Sequence, residues 1–227
     1  MSDPTASACC YRIGVAGSAY RAAVESVRRS AYRQAREFRW NDEALLAWSE
    51  VDDVSTVLGV WDAGAALLST VRATVLASVG QAEAFLEYSL SGIGIAAPIL
   101  VLSRAATAPS AARHGLNTLL RHAYLAGAAA TPVRSVITLV YEGGPRLASM
   151  RAAGYEFFEP RTSWDTEAVA RTRPLLAVLP GQRLLGAPGA LHDAIAPRAE
   201  GVHVETAAIA AALRSQCAVA TACVHPS

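Results

Sequence analysis

Two arginines stand inside strongly apolar runs, Arg72 in AALLSTVRATV and Arg104 in PILVLSRAA. A guanidinium in such a setting is costly without a counter-charge. Each must therefore meet an internal carboxylate or the carboxylate or phosphate of a bound substrate. Glu50 and Asp52 precede the first of these runs, and Glu142 directly follows the β-branched run SVITLVY. These three acids are candidates for general-base chemistry or for pairing with a cation. Glu50 and Asp52 could equally pair with Arg28 or Arg72, and Glu142 could be a solvated carboxylate in a glycine turn. Tyr141 offers a proton donor or a packed strand tyrosine, and His114 beside Gly115 a surface or capping residue near a helix start. Arg28, Arg29, Arg33 and Arg36 form a basic row that is either a solvated helix face or a docking surface for an acidic partner.

Positioning these groups requires a mixed α/β order. YRIGV at 11–15 reads as a strand, and residues 19–36 as a helix with Ala22, Ala23, Val27, Ala31 and Ala35 at helical spacing. Strands over 55–61 and 65–75 form a hairpin around Asp62-Ala-Gly64, where the glycine supplies a positive φ. A short helix over 81–90 follows. The run at 98–106 suits a central strand buried on both faces. A polar turn at 107–110 leads to a helix over 111–126 that ends at Gly127 as a C-cap. SVITLVY is the clearest strand, broken by Gly143-Gly144-Pro145 with Pro145 in the first turn of a helix over 146–153. Strands at 155–159 and 175–179 and helices at 190–196 and 205–215 complete the chain. We expect a flexible start at 1–10, a domain over 11–180, and a helical extension of that domain over 181–227.

The chain has 227 residues, 52% of them hydrophobic and 17% charged, with a formal net charge of +1. That composition excludes a disordered chain and gives no bulk attraction toward nucleic acid. Cys9, Cys10, Cys217 and Cys223 show no metal-ligand spacing and read as free thiols in a reducing compartment. No signal peptide or membrane-spanning run is legible, so a cytoplasmic location is expected, with peripheral membrane contact left open.

The order of elements resembles the GNAT fold of N-acetyltransferases, with a mixed, mostly antiparallel central sheet and helices on both faces. The resemblance rests on PILVLSRAATAPSAARHGLNTLLRHAYLAG, on SVITLVYEGG and on RLASMRAAGYEFF, and it covers roughly residues 11 to 160. Within that fold the N-terminal half is similar to acyl-homoserine-lactone synthases and long-chain N-acyl amino acid synthases. Arg28 with Tyr32, then Trp40, then Glu50-Val51-Asp52 stand in the order those families use, and Arg72-Ala73-Thr74 resembles their signature at the hairpin's end. Val101-Leu102-Ser103-Arg104 keeps the arginine of their E-x-x-R but loses its acid. Of the acetyltransferase phosphate loop only Gly115 fits, because Ala112 and Asn117 depart from it. Met150 stands where many members place a tyrosine acid.

The resemblance implies an enzyme, an N-acyltransferase moving an acyl group, long-chain in the nearer relatives, from acyl carrier protein or coenzyme A to the amine of an amino acid or similar small molecule. No permanently bound cofactor and no metal are implied, and acyl carrier protein is the implied partner. Glu142, Glu50, Asp52 and Arg72 are then the catalytic candidates. Arg28, Tyr32, Trp40, Arg104, Gly115, His114 and Tyr141 are those for binding donor or acceptor. An acetyl-CoA-dependent N-acetyltransferase and a non-catalytic domain that binds an acyl ligand or a partner are the alternatives.

Overall fold

A computed structural model describes residues 11–34, 43–144, 146–159, 174–192 and 201–222. Its centre is one eight-stranded sheet in the order β6-β7-β5-β4-β3-β2-β1-β8. The strands are β1 (Tyr11–Val15), β2 (Thr56–Trp61), β3 (Leu67–Leu76), β4 (Ile99–Thr107), β5 (Ser135–Tyr141), β6 (Glu156–Phe158), β7 (Pro174–Pro180) and β8 (Val202–Val204). β4–β5 and β1–β8 pair in parallel, and the other neighbours are antiparallel. This is the mixed, mostly antiparallel sheet that the order of elements implies.

Alternation divides the sheet into two covered faces. On one side lie α1 (Arg21–Gln34) and, after the short helices α2 (Glu43–Leu46) and α3 (Glu50–Asp53), α4 (Val79–Leu86). α1 buries Val24, Val27 and Arg28 at helical spacing, and Val24 meets Val57 and Trp61 of β2. Ala82 of α4 packs on Ile99, Val101 and Ile137. On the other side α5 (Leu116–Ala128), α6 (Leu147–Ala152) and the C-terminal helix Thr206–Ala222 cover Leu58, Val71, Leu100, Leu102 and Val136. Ile99 to Leu102 are all buried, as a strand covered on both faces requires.

Three local expectations change. The hairpin turn places its positive φ, 61°, on Ala65 rather than Gly64, because Asp62 Oδ1 already accepts the Ala66 N–H and fixes the loop. α5 begins five residues later than expected, since Pro109–Ala111 forms a separate 3-10 turn. Gly127 lies inside α5 rather than capping it, and a Cβ there would come within 2.7 Å of Ile209 Cγ2 on the C-terminal helix. The glycine serves a close helix crossing. Pro145 and residues 193–196 lie outside the described residues.

Residues 201–222 are built into the sheet. β8 adds a strand beside β1, and Gln216 of the C-terminal helix accepts the Val75 N–H at 2.9 Å while its amide donates to Thr56 Oγ1. Glu205 bonds Arg12 at 3.0 Å and lies over Gly14, where a Cβ would overlap its carboxylate.

Candidate active site

β4 and β5 pair from Ile99 opposite Ser135 to Leu102 opposite Thr138, and there the ladder ends. β4 continues to Thr107 and β5 to Tyr141, so the two central strands part beyond Leu102. The cause lies on the other edge of β4. Its register with β3 shifts between Thr70 and Arg72, so Val71 faces both Arg104 and Ala105. Such a bulge bends and twists its strand. Arg104 takes the extra position with φ 53°, a left-handed conformation that costs a residue with a Cβ. The opening between β4 and β5 thus exposes peptide groups of β4 from Ser103 onward to whatever lies between the strands.

A charged cluster borders the opening on the α1 side. Ser49 caps α3 and forms a capping box with Asp52, which aims that carboxylate inward while Glu50 faces solvent. Arg28 grips Asp52 through two hydrogen bonds of 2.5 and 3.1 Å, and its third contact is Ala47 O at 3.3 Å. Asp52 Oδ2 also accepts the Ser49 N–H at 2.9 Å and the Ser49 hydroxyl at 3.1 Å. Arg72 reaches the same oxygen only at 3.8 Å, and its Nε donates to Ser103 Oγ at 3.0 Å. Arg28 and Arg72 are both buried, with Asp52 the carboxylate between them.

Burial pushes the Asp52 carboxyl up, but the Arg28 bond, the Ser49 N–H and the Arg72 charge outweigh it and leave it below the usual carboxylate range. Burial lowers Arg72 to about 10; Asp52 opposes that, and Arg104 and Arg28 add to it. Arg72 stays charged at neutral pH, with its Nη1 hydrogens buried and without a hydrogen bond. Tyr32, half-buried in the last turn of α1, is raised by burial and pulled back by Arg104, Arg28, Arg146 and Arg72.

The structure therefore brings Arg28, Asp52 and Arg72 together, with Tyr32 one helical turn beyond Arg28 on α1 and Arg104 beside Ser103 on β4. Tyr141 ends β5 half-buried, and Glu142 follows it exposed in the turn. Gly115, with φ 78°, caps the N-terminus of α5, and exposed His114 beside it lies 3.5 Å from the Tyr11 hydroxyl. Trp40 and Arg36 are outside the described residues. The basic row on α1 is largely spent internally: Arg28 is buried on Asp52, while Arg29 and Arg33 both bind Glu43, at 2.9 and 2.6 Å.

Sequence reading passed over Arg146, which N-caps α6 and donates to Asn117 Oδ1 of α5 at 2.8 Å. A cation at a helix N-terminus runs against the helix dipole, and that was the available signal. Among the described residues no group of three His, Cys, Asp or Glu could hold a metal ion. No described helix is long and apolar enough to cross a membrane.

No protein-family model and no curated protein matches the chain in sequence. Solved structures do match in shape. The CoA-dependent acyl-homoserine lactone synthase BjaI, solved with SAM and isopentyl-CoA, is 15% identical with a TM-score of 0.56, over 90% of this chain and 99% of that one. FeeM, an N-acyl amino acid synthase from uncultured soil microbes, is 12% identical with a TM-score of 0.55, over 79% and 95%. The ribosomal-protein-S18-alanine N-acetyltransferase from Escherichia coli is 13% identical with a TM-score of 0.52, over 75% and 93%. At such identities the likeness is one of architecture, and the eight-stranded sheet parted between β4 and β5 is a GNAT fold.

Proposed function

We propose that the chain is an N-acyltransferase that moves an acyl group, long-chain by preference, from an acyl carrier protein or coenzyme A thioester to the amine of an amino acid or similar small acceptor. The observation that carries this reading is the opening between β4 and β5, held by the bulge at Arg104 and bordered by a buried cluster with more arginine than carboxylate. A thioester lying between the parted strands would meet peptide N–H groups of β4, which polarise a carbonyl without any side chain. Arg72 presents buried N–H groups at that edge and suits the carboxylate of an acceptor.

In this reading Asp52 orients the arginines. A carboxylate held by Arg28 and Ser49 and kept ionised is a weak proton acceptor. Glu142, exposed at the end of β5, takes the amine proton, directly or through water. The enzyme works in the cytoplasm, as one domain, without a resident cofactor. The internal pairing of Arg29 and Arg33 with Glu43 removes much of the basic face that a carrier protein would use on α1, so the donor question is one for direct comparison.

Mass spectrometry of lipid extracts from a bacterial host producing the chain tests the proposal. New N-acyl amino acids are expected, lost in Arg72→Ala and reduced in Glu142→Ala. An unchanged lipid profile together with acetylated small amines would replace long-chain transfer by acetyl transfer. Ligand binding with no product of either kind would leave a non-catalytic domain.

A further inference from the structure

We propose that Arg121 and Tyr155 form a buried binding site for a carboxylate, set between α5 and the end of α6. Both side chains lie in the core, Arg121 with 5% of its surface exposed and Tyr155 with 4%. The Arg121 guanidinium stands 5.9 Å from the centre of the Tyr155 ring. Its Nε and Nη1 and the Tyr155 hydroxyl are buried, and none of these atoms has a hydrogen-bond partner among the described residues. Glu156, the acid next to the pair in sequence, is exposed and binds Arg183 at 3.2 Å instead. Buried donors this close together, one of them charged, are costly unless an acceptor meets them. Both ends of α6 are set against one face of α5. Arg146 at its start donates to Asn117, one turn before Arg121. Tyr155, whose N–H donates to Met150 O at 3.0 Å, closes the other end. Leu120, Val136, Val140, Leu147 and Met150 belong to the same buried cluster as Tyr155 and make the surroundings apolar.

The chemistry of the pair selects its ligand. A guanidinium has donors only and is charged throughout the physiological pH range. Burial raises the Tyr155 phenol against the pull of the Arg121 charge, so it too holds its proton and donates. One positive charge in an apolar setting matches one negative charge, and the two oxygens of a carboxylate accept from guanidinium and phenol together. A phosphate dianion would leave its second charge unbalanced. The ring beside the guanidinium offsets part of the cost of holding the cation in the core. A carboxylate reaches such a site as a free acid or as the far end of an acyl chain. β5 leaves β4 after Thr138, and Val140, beyond that point, belongs to the cluster that holds Tyr155. An acyl chain passing through the opening to the α5 side enters that cluster. Assigning the carboxylate to a dicarboxylic acyl donor rests on the acyltransferase reading above, and the site itself does not.

Isothermal titration of wild type, Arg121→Met and Tyr155→Phe tests the site with sodium octanoate, dodecanoyl-CoA and the mono-CoA thioester of dodecanedioic acid. If the chain end is the source, wild type should bind the thioester ending in a carboxylate about tenfold more tightly than dodecanoyl-CoA. If a free acid is the source, octanoate binds and the two thioesters do not differ. Either signal should fall about tenfold in Arg121→Met and by less in Tyr155→Phe. Thermal melts without ligand give a second readout. Arg121→Met removes a buried charge that has no counter-ion, so its midpoint should equal or exceed that of wild type. A lower midpoint would show the guanidinium to be structural and overturn the site. Carboxylate binding kept by both variants, or wild type that shows neither signal, would overturn it as well. Octanoate binding with neither thioester bound would keep the site and count against the acyltransferase reading.

Discussion

Asp52 is the residue on which the cluster's electrostatics turn. It balances Arg28 directly and Arg72 at 3.8 Å, all of them buried. Removing its charge leaves two guanidinium groups in a dry setting, and breaking a buried pair in this way costs about 3–5 kcal/mol. Asp52→Asn should therefore lower stability by that order in urea unfolding at pH 7. Because the folded carboxyl is depressed, its contribution is complete above the unfolded value of about 3.9 and fades as pH falls through the folded one. The gap between wild type and Asp52→Asn should accordingly narrow below about pH 4, and a gap that is constant with pH would contradict the pairing. Sequence alone indicates that Arg72 and Arg104, inside apolar runs, need a counter-charge, and it offers Arg28 or Arg72 as partners for the acids before the hairpin. It leaves Glu50 and Asp52 as equals, and the choice falls to the Ser49 cap, which turns one inward and the other out.

At the scale of elements, the bulge in β4 has its own signature. Arg104 holds φ 53°, where glycine is comfortable and alanine is not. Both Arg104→Gly and Arg104→Ala remove the side chain, yet the glycine variant should be about 1 kcal/mol the more stable by thermal or urea melts. Equal stabilities would mean that the extra residue sits elsewhere. The crossing of α5 with the C-terminal helix offers a second check. Gly127→Ala should cost about 1–3 kcal/mol, since Ile209 must move to admit the methyl group; a neutral effect would show the crossing to be looser.

These two elements also show where sequence reading stops. SVITLVY announces itself through β-branched residues, and its bounds match the strand observed. Gly127 looks like a helix end because its real neighbour is some eighty residues away. The bulge is invisible because it depends on register against β3, and no single segment encodes register.

The whole molecule is joined where its first and last elements meet. β8 is three residues, Val202–Val204, too short to stand out in the sequence, and it is a strand only because β1 offers an edge. The alternation that divides the sheet, and the helices that cover it, follow from periodicity and were legible throughout; the closure through β8, Glu205 and Gln216 follows from distant pairings and was not. That closure has a consequence for biosynthesis. Tyr11 pairs with Val202, roughly 190 residues later, and a ribosome adding about 5–20 residues per second needs roughly 10–40 s to cover that distance. Throughout that interval β1 has no strand on its outer side. A nascent chain stalled before residue 201 would carry a nearly complete sheet with an open margin, the form in which this protein is most exposed to pairing with another copy of itself.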